Sequence, residues 1–426
     1  IHTDVVNLSE RGLNLTSSQE ILGPIVPIKL SFPEGDLKLN IKGRLIWKEQ
    51  LPEGNFSYGV EFIELNEDTQ RQLRKELIRI KVFSLLNEIK EEKLKEIATN
   101  FFLKDLLEYI ERILKIISRI SKEKEYNYQI EKELEELNNE IVLKGHSLEE
   151  SLKDKKIIQK VKENFRELIG TWAYRSIIMK RAFEKPRGYP GDYKMLEIIY
   201  DNKFISKNII GLYFDSYFLR NPYAIAVKIR KDLLREILQN FLTKTELQKI
   251  NILNIACGSC REIKELLPNL TTNSSIRFTC LDWDEEALSF SKSVLLPLAG
   301  KNIEFNFIKE DVMNLIKDEK IIQTLGRQNL IYSIGLIDYL PDRVLKRLVY
   351  ILYQLLEKEG KLILTHKNKE KTFPPLPPDW FCDWKFVPRN KEEVMRLFYN
   401  CGIARSSILI DPDEFDYIYY FTVTKD

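Results

Sequence analysis

Histidine is scarce in this sequence, with three residues, His2, His146 and His366, in a chain of 426. None of them forms a pair at helical spacing, so the sequence predicts no zinc or iron site. An excess of one charge is missing as well, since 66 Lys and Arg balance 64 Asp and Glu to a net charge of +2. We therefore expect no nucleic-acid partner, and we interpret the basic stretch 228–235 as a solvated helix face.

Long apolar runs are also absent. No segment approaches the ~18–20 apolar residues that a membrane-spanning helix needs, so no transmembrane segment is expected. The five cysteines, an odd number spread along the chain, are typical of reduced thiols and predict a cytoplasmic protein. The chain begins at Ile1 rather than at Met, so we expect some N-terminal sequence to be missing.

The composition, 44% hydrophobic and 31% charged, is that of a folded protein, and the length predicts more than one domain. Residues 1–65 have the pattern of a small β-barrel, in which short alternating strands are separated by Pro/Gly turns. The expected strands are 25–30, 39–47 and 58–62, and the expected turns are Pro33-Glu34-Gly35 and Pro52-Glu53-Gly54.

The apolar spacing becomes helical after residue 65. We divide this part into a helical connector, residues 66–157, and a helical substrate or lid region, residues 158–238, which a Pro/Gly loop at 186–191 interrupts. Ser147-Leu148-Glu149-Glu150 has the spacing of a capping box and predicts a helix that begins at Ser147. The charged stretch 121–144 has three interpretations: a helical hairpin, a coiled-coil surface that would make a homo-oligomer, or a charged bundle face.

Residues 239–426 alternate apolar runs with amphipathic helices. This alternation predicts a Rossmann-like α/β fold with a mostly parallel sheet that is covered on both faces. Two last extended runs are expected to form an antiparallel hairpin at one edge. The expected parallel strands are 250–256, 276–281, 303–308, 330–334 and 361–365, and the expected hairpin strands are 406–410 and 417–424.

The first of these strands leads into Cys257-Gly258-Ser259-Cys260. Such a stretch is either a redox dithiol or a tight turn that seats a nucleotide-like cofactor. Asp282 at the end of the next strand favours the turn. A glycine turn lets the backbone approach a ligand, the following helix offers its N–H groups, and an acid about 20 residues further on can bind both hydroxyls of a ribose.

The NAD fingerprint G-x-G-x-x-G is absent, and Asn254-x-Ala256-x-Gly258-x-Cys260 instead resembles the glycine loop of class I S-adenosylmethionine (SAM) methyltransferases. The resemblance implies SAM as the cofactor, with an acid near the adenine after the third strand and a cleft after the fourth. Asn254 stands where an acid is usual and Cys260 where a glycine is usual, so a catalytically inactive fold stays an alternative. The cofactor residues implied are Asn254, Ala256, Gly258, Cys260, Asp282, Trp283, Asp311, Val312, Ser333 and Gly335.

The N-terminal stretch Asn7-x-Ser9-x-x-Gly12, together with Tyr58-Gly59-Val60-Glu61-Phe62, resembles a PilZ domain, the cyclic di-GMP-binding barrel. The resemblance implies that Asn7, Ser9 and Gly12 contact the dinucleotide. PilZ domains also use an Arg-x-x-x-Arg segment, whose guanidinium groups pair with phosphates. The segment from Ile1 to Asn7 does not supply it, so it lies upstream of Ile1 or this domain has lost the ligand. An Asn/Ser turn that only closes a strand is the other interpretation.

Three segments resemble a bacterial family that makes 3-hydroxypalmitic acid methyl ester: 187–193, 335–340 and 383–389. The resemblance runs from about residue 158 to the end and implies methylation of a carboxylate, which is ionised at neutral pH and needs no general base. The side chains expected to hold it are Arg187, Tyr189, Tyr339 and Arg389. His366 would act as a base if the acceptor were an amine or a hydroxyl. Trp380, Phe381 and Trp384 either line an acyl pocket or pack a loop.

The sequence therefore predicts a multidomain protein with a PilZ-like barrel, a central α-helical region and a C-terminal Rossmann-like methyltransferase. We expect a cyclic di-GMP-responsive, SAM-dependent methyltransferase that acts on a carboxylate of a small or fatty-acid-like molecule. The alternative is a cyclic di-GMP-binding signalling adaptor whose methyltransferase fold is inactive. A dithiol oxidoreductase is the third hypothesis.

Overall fold

The computed structural model describes residues 5–32, 37–123 and 125–426. The chain divides into two compact units. One consists of Ile1–Ser118 with Leu143–Ile169, and the other of Arg119–Val142 with Gly170–Asp426.

The N-terminal strands form one antiparallel sheet in the order β1-β2-β5-β4-β3. Alternate residues such as Leu13, Leu15 and Tyr58 point into its core, as the period of two requires. Within the described residues the sheet is a curled half-barrel with β1 and β3 at its edges. The three expected strands are confirmed, the Pro52–Gly54 turn is a short 3-10 helix, and the predicted turn at Pro33-Glu34-Gly35 lies outside the described residues. The strands are β1 Val5–Leu8, β2 Gly12–Ser17, β3 Ile25–Ser31, β4 Lys38–Gln50 and β5 Phe56–Ile63.

Helices follow the half-barrel, as the apolar spacing predicts. Asn66 begins the first of them, since its side chain accepts a hydrogen bond from Thr69 N at 2.8 Å. The helices are α1 Glu67–Glu88, α2 Glu92–Asn100, α3 Leu107–Lys122, α4 Tyr128–Leu152, α5 Lys155–Ala173, α6 Ile177–Glu184, α7 Tyr193–Asp201, α8 Ile209–Leu219 and α9 Pro222–Lys244, with a π-helical segment at Phe101–Leu106. The Pro/Gly loop is confirmed between α6 and α7. No described helix has the length and apolar content to cross a membrane.

The predicted helix start at Ser147 is wrong. Helix α4 runs through this position, and the Ser147 hydroxyl donates to the Leu143 carbonyl at 3.2 Å, one turn earlier. Leu148 and Leu152 lie beyond Ser147 and are buried, so packing continues the helix past the local capping pattern.

The C-terminal sheet has the order β11-β12-β10-β9-β6-β7-β8. Strands β6 to β10 are parallel, and β12 pairs antiparallel with both β10 and β11, so the predicted edge hairpin is confirmed. The chain order reverses between β6 and β9, and ligands of open α/β sheets bind at the carboxyl ends of strands at such a point. The strands are β6 Lys249–Ile255, β7 Ser275–Asp282, β8 Ile303–Lys309, β9 Gln328–Ile334, β10 Leu356–Lys367, β11 Ile408–Pro412 and β12 Ile418–Thr424.

Helices cover this sheet and complete its core, which includes Leu253, Ile331 and Leu364. They are α10 Arg261–Leu266, α11 Glu285–Leu295, α12 Val312–Leu315, α13 Glu319–Leu325, α14 Asp342–Leu355, α15 Lys369–Thr372, α16 Pro378–Cys382 and α17 Lys391–Tyr399.

Candidate active site

The loop after β6 turns through three residues with positive φ, Ala256 at 54°, Gly258 at 54° and Cys260 at 49°. This region of backbone space suits glycine and strains the other two residues, so the surrounding contacts must hold the turn. Gly258 N donates to Asp282 Oδ2 at 2.8 Å, and the Gly258 carbonyl accepts from the Ser291 hydroxyl at 2.8 Å. The loop is therefore fixed from both sides at the edge where β6 and β7 end.

Asp282 is the last residue of β7 and is 5% exposed. Its second oxygen accepts from Asp284 N at 2.9 Å. Burial raises the pKa of this carboxyl above its ordinary value. A carboxylate has about four acceptor positions, and the two bonds to Gly258 and Asp284 leave positions for the hydroxyls of a ribose.

The residues expected after the third and fourth strands lie at the same edge of the sheet. Asp311 caps α12 by accepting from Met313 N at 2.8 Å, and Val312 begins that helix. Ser333 is fully buried, and its hydroxyl donates to the Ile255 carbonyl at 2.7 Å, which ties β9 to β6.

Trp283 and Gly335 complete the predicted cofactor set. Trp283 is 52% exposed, with its ring 5.3 Å from that of Tyr189. Gly335 has φ 97°, and a Cβ at this position would lie 2.5 Å from Arg230 Nη1. The guanidinium group of Arg230 therefore packs directly on this glycine.

Glu262 is a site residue that sequence reasoning missed. It lies in the first turn of α10 and is 3% exposed. Its Oε1 accepts from Asn254 Nδ2 at 3.0 Å and from the Tyr332 hydroxyl at 2.8 Å. An acid in the first turn of a helix is ordinary, so no sequence signal marked it.

Arg187 and Tyr189 lie beside the acid-rich end of β7. Arg187 binds Asp284 with two nitrogens, Nε at 2.9 Å from Oδ2, and also pairs with Glu286. Burial raises the pKa of Asp284, but Arg187 outweighs burial and holds that pKa below its ordinary value. The Tyr189 hydroxyl is 3.4 Å from Asp284 Oδ2. Arg187 is thus paired with two carboxylates of the protein itself, those of Asp284 and Glu286.

Arg389 is 3% exposed and holds the segment after β9. It donates to Asp342 Oδ1 at 2.9 and 2.7 Å, to the Ile337 carbonyl at 3.0 Å and to the Leu340 carbonyl at 2.5 Å. These bonds give Arg389 a structural role.

Tyr339 and His366, the other two residues predicted to act on the methyl acceptor, lie around the segment after β9. The Tyr339 hydroxyl accepts from Trp384 Nε1 at 2.9 Å, and His366 Nδ1 is 2.9 Å from Asp338 Oδ1. Trp380 and Phe381 are fully buried, and Trp384 is 4% exposed.

A cluster of buried charges that sequence reasoning also missed lies here. Asp338 pairs with Lys367 and with Arg230. The interpretation of residues 228–235 as a solvated helix face is wrong for Arg230 and Lys231, which are 4% and 6% exposed. A charge pattern along one helix does not show which positions another element covers.

In the N-terminal unit, Asn7, Ser9 and Gly12 line one groove of about 330 Å³, together with Trp47. The Ser9 hydroxyl donates to the Gly12 carbonyl at 3.0 Å. A Cβ at Gly12 would lie 2.1 Å from the Val60 carbonyl oxygen, so the strand pairing leaves no room for a side chain. The structure brings the three residues of the predicted motif together.

Comparison with known proteins gives one domain match. Residues 1–79 match the family model of the PilZ domain. No curated protein matches the chain. Solved structures with partial likeness include a possible exported protein from Bordetella parapertussis, with 17% identity over 55% of this chain and 79% of that chain, at a TM-score of 0.43.

Two methyltransferase structures are also similar. Magnesium protoporphyrin IX methyltransferase from Synechocystis PCC 6803, with bound SAM, has 9% identity over 47% of this chain and 82% of that chain, at a TM-score of 0.35. The N-methyltransferase NodS from Bradyrhizobium japonicum WM9, with S-adenosyl-L-homocysteine, has 13% identity over 48% of this chain and 89% of that chain, at a TM-score of 0.32. The family match thus places a PilZ domain in the N-terminal part of the chain. The C-terminal sheet has the predicted Rossmann-like arrangement, with parallel strands and an antiparallel hairpin at one edge.

Proposed function

We propose that the protein is a cyclic di-GMP-responsive, SAM-dependent methyltransferase that methylates a carboxylate. The observation that carries the proposal is the 2.8 Å hydrogen bond between Gly258 N and Asp282 Oδ2. It joins the glycine loop after β6 to the acid that ends β7. This place is next to the reversal of chain order between β6 and β9, where an open α/β sheet binds its ligand.

The residues present fit SAM. Asp282 would hold the ribose hydroxyls, the loop at Gly258 would lie against the methionine part, and Asp311 would lie near the adenine amine. When bound, SAM supplies an electrophilic methyl group. A carboxylate held by the chain would take this methyl group, and the sulfur of SAM would keep the electron pair of the broken carbon–sulfur bond. No proton is transferred, so the chain has to align the carboxylate and exclude water.

The PilZ domain would sense cyclic di-GMP. Asn7, Ser9 and Gly12 share one groove with Trp47, a residue that is 43% exposed and would offer a guanine a ring to stack on. Ligand binding would alter methyl transfer only through different contacts in two states of the protein. Calorimetric SAM affinity with and without saturating cyclic di-GMP tests this coupling, and equal affinities together with equal activity would refute it.

The first experiment is calorimetric titration of SAM into the parent and into Asp282→Ala and Asp282→Asn. The proposal expects binding by the parent that both variants lose or weaken, while Asp411→Ala, an exposed acid on β11, binds like the parent. Thermal unfolding of each variant checks its fold.

A second candidate function is a signalling adaptor with an inactive methyltransferase fold. Asn254 favours it, because an uncharged amide stands at the end of β6. If the parent does not bind SAM even with cyclic di-GMP present, the adaptor becomes the better proposal.

A further inference from the structure

Two buried cations converge on one buried carboxylate where β9 and β10 end. Lys367 Nζ lies 2.5 Å from Asp338 Oδ2, and Arg230 Nη1 lies 3.5 Å from the same oxygen. The three residues are between 1% and 5% exposed. They come from three elements: α9, the segment after β9, and the last position of β10.

The charges of this cluster do not balance. Arg230 and Lys367 bring two positive charges against the single negative charge of Asp338. Burial raises the pKa of Asp338, but Lys367, His366 and Arg230 outweigh it and hold that pKa well below its usual range. Burial lowers the pKa of Lys367 to about 8. A buried charge without a partner is costly, so the cluster favours one more anion.

Arg230 also has an unused donor. Its Nε is buried and has no hydrogen-bond partner within the described part of the chain. Because buried donors are nearly always paired, this N–H indicates a missing acceptor. The same guanidinium group packs on Gly335, at the carboxyl end of β9 beside the proposed cofactor loop.

Aromatic rings enclose the cations. Lys367 Nζ lies 5.2 Å from the ring centre of Tyr223 and 4.8 Å from that of Phe386. Trp384 and Tyr339 complete this wall around a cavity of about 20 Å³. That volume holds about one water molecule, so an anion with an apolar body enters only if the rings move outward.

We propose that Arg230 and Lys367 bind the carboxylate of the methyl acceptor and that its apolar body lies among these rings. Naming this ligand the acceptor rests on the proposed function, whereas the anion site itself does not. The site replaces Arg187 and Arg389 as carboxylate holders, because each of those arginines has at least one protein carboxylate of its own, whereas Arg230 and Lys367 share the single carboxylate of Asp338.

The cluster also suits the reaction. Asp338 keeps part of the positive charge neutralised, so the acceptor carboxylate is held without losing all its nucleophilicity. After methylation the ester is uncharged, its ion pairs with Arg230 and Lys367 are lost, and product release is favoured.

The test is calorimetric binding of decanoate, with 1-decanol as the uncharged probe of similar length. The parent should bind decanoate more tightly than decanol, and Lys367→Met and Arg230→Gln should each lower decanoate affinity by roughly tenfold or more, since each removes one charged partner. Lys361→Met, on an exposed position of the same strand, should bind like the parent. Lys367→Arg keeps the charge and should retain most of the affinity.

SAM titration separates this inference from the proposed function. Lys367→Met should still bind SAM like the parent, and thermal unfolding should show that Lys367→Met and Arg230→Gln both fold. Equal decanoate affinity in the parent and the two variants, or equal affinity of the parent for decanoate and decanol, would overturn the anion site. If the parent does not bind SAM, the proposed function is overturned instead.

Discussion

The side-chain amide of Asn254 donates to the carboxyl group of Glu262 at 3.0 Å. The Tyr332 hydroxyl donates to the same oxygen, and Asn254 Nδ2 lies 3.8 Å from Cys260 Sγ. Burial, and then the neighbouring Cys260, raises the pKa of Glu262 from 4.5 to about 8. At neutral pH this carboxyl is therefore mostly protonated, and an uncharged hydrogen-bonded cluster supports the glycine loop.

We predict that Glu262 makes stability fall as pH rises. The folded pKa of about 8 lies above the unfolded value of 4.5, so the folded state binds more protons between these values. The free energy of unfolding should decrease through this window, by at most about 1.4 kcal/mol per pH unit. Urea unfolding should show that the stability of Glu262→Gln, relative to the parent, improves as pH rises from about 5 to 8.

Glu265 in the same helix is the matched control. Burial raises its pKa, but Lys231 and Arg261 outweigh burial and lower it. Its contribution is present above its unfolded pKa and is lost as pH falls. The stability of Glu265→Gln relative to the parent should therefore not improve between about pH 5 and 8. If the two variants show the same pH dependence, Glu262 is not protonated as proposed.

Two separate structural constraints favour glycine at position 335. Its φ of 97° is unfavourable for other residues, and a Cβ would meet the Arg230 guanidinium. Gly402, with φ 80° and open space around it, has only the first constraint. We predict that Gly335→Ala lowers the free energy of unfolding by about 1 kcal/mol or more beyond Gly402→Ala, because it adds overpacking to strain. Equal losses in denaturant unfolding would show that Arg230 moves freely.

Much of the fold was predictable because its signals are local. Short apolar runs between turn residues mark strands, and the position of Asp282 after the second strand of the C-terminal sheet pointed to its partner Gly258. The capping pattern at Ser147 is equally local, yet there the burial of Leu148 and Leu152 decides the structure. Local signals fail where packing outweighs them.

The buried charged cluster around Asp338 could not be predicted. Arg230 lies on an α-helix and Lys367 on a β-strand far away in the sequence. Arginine and lysine are residue types that are usually exposed. Only tertiary packing brings them to Asp338 and removes them from water. Glu262 is similar, because the strands that carry Asn254 and Tyr332 bury it. A single sequence holds no pattern for such long-range pairing.

The groove of the PilZ domain gives a test of ligand stacking. A Cβ at Gly59 would lie 2.0 Å from Trp47 Nε1, so Gly59→Ala must displace the indole. We predict a change in Trp47 fluorescence and roughly a tenfold or greater loss of cyclic di-GMP affinity, since stacking on an aromatic ring contributes about 1–3 kcal/mol per base. Gly54→Ala strains its own backbone at φ 80° but meets open space, so it should bind like the parent in the same calorimetric titration. If Gly59→Ala binds cyclic di-GMP with unchanged affinity, Trp47 does not stack on the ligand.

The reactivity of the cysteine thiols tests the hypothesis of a dithiol oxidoreductase. Cys257, Cys260, Cys280 and Cys382 are buried, and Cys401 is partly exposed. Hydrogen bonds to Cys260 and Cys280, and then burial, raise the pKa of Cys257 well above its ordinary value. Because burial keeps the reagent away from the other four thiols, we predict that an aromatic disulfide reagent labels Cys401 first in the native protein and the four buried thiols only on unfolding. Cys401→Ser should abolish the early reaction. Rapid paired labelling of Cys257 and Cys260 in that variant would instead restore the redox hypothesis, since a catalytic dithiol requires an accessible thiolate.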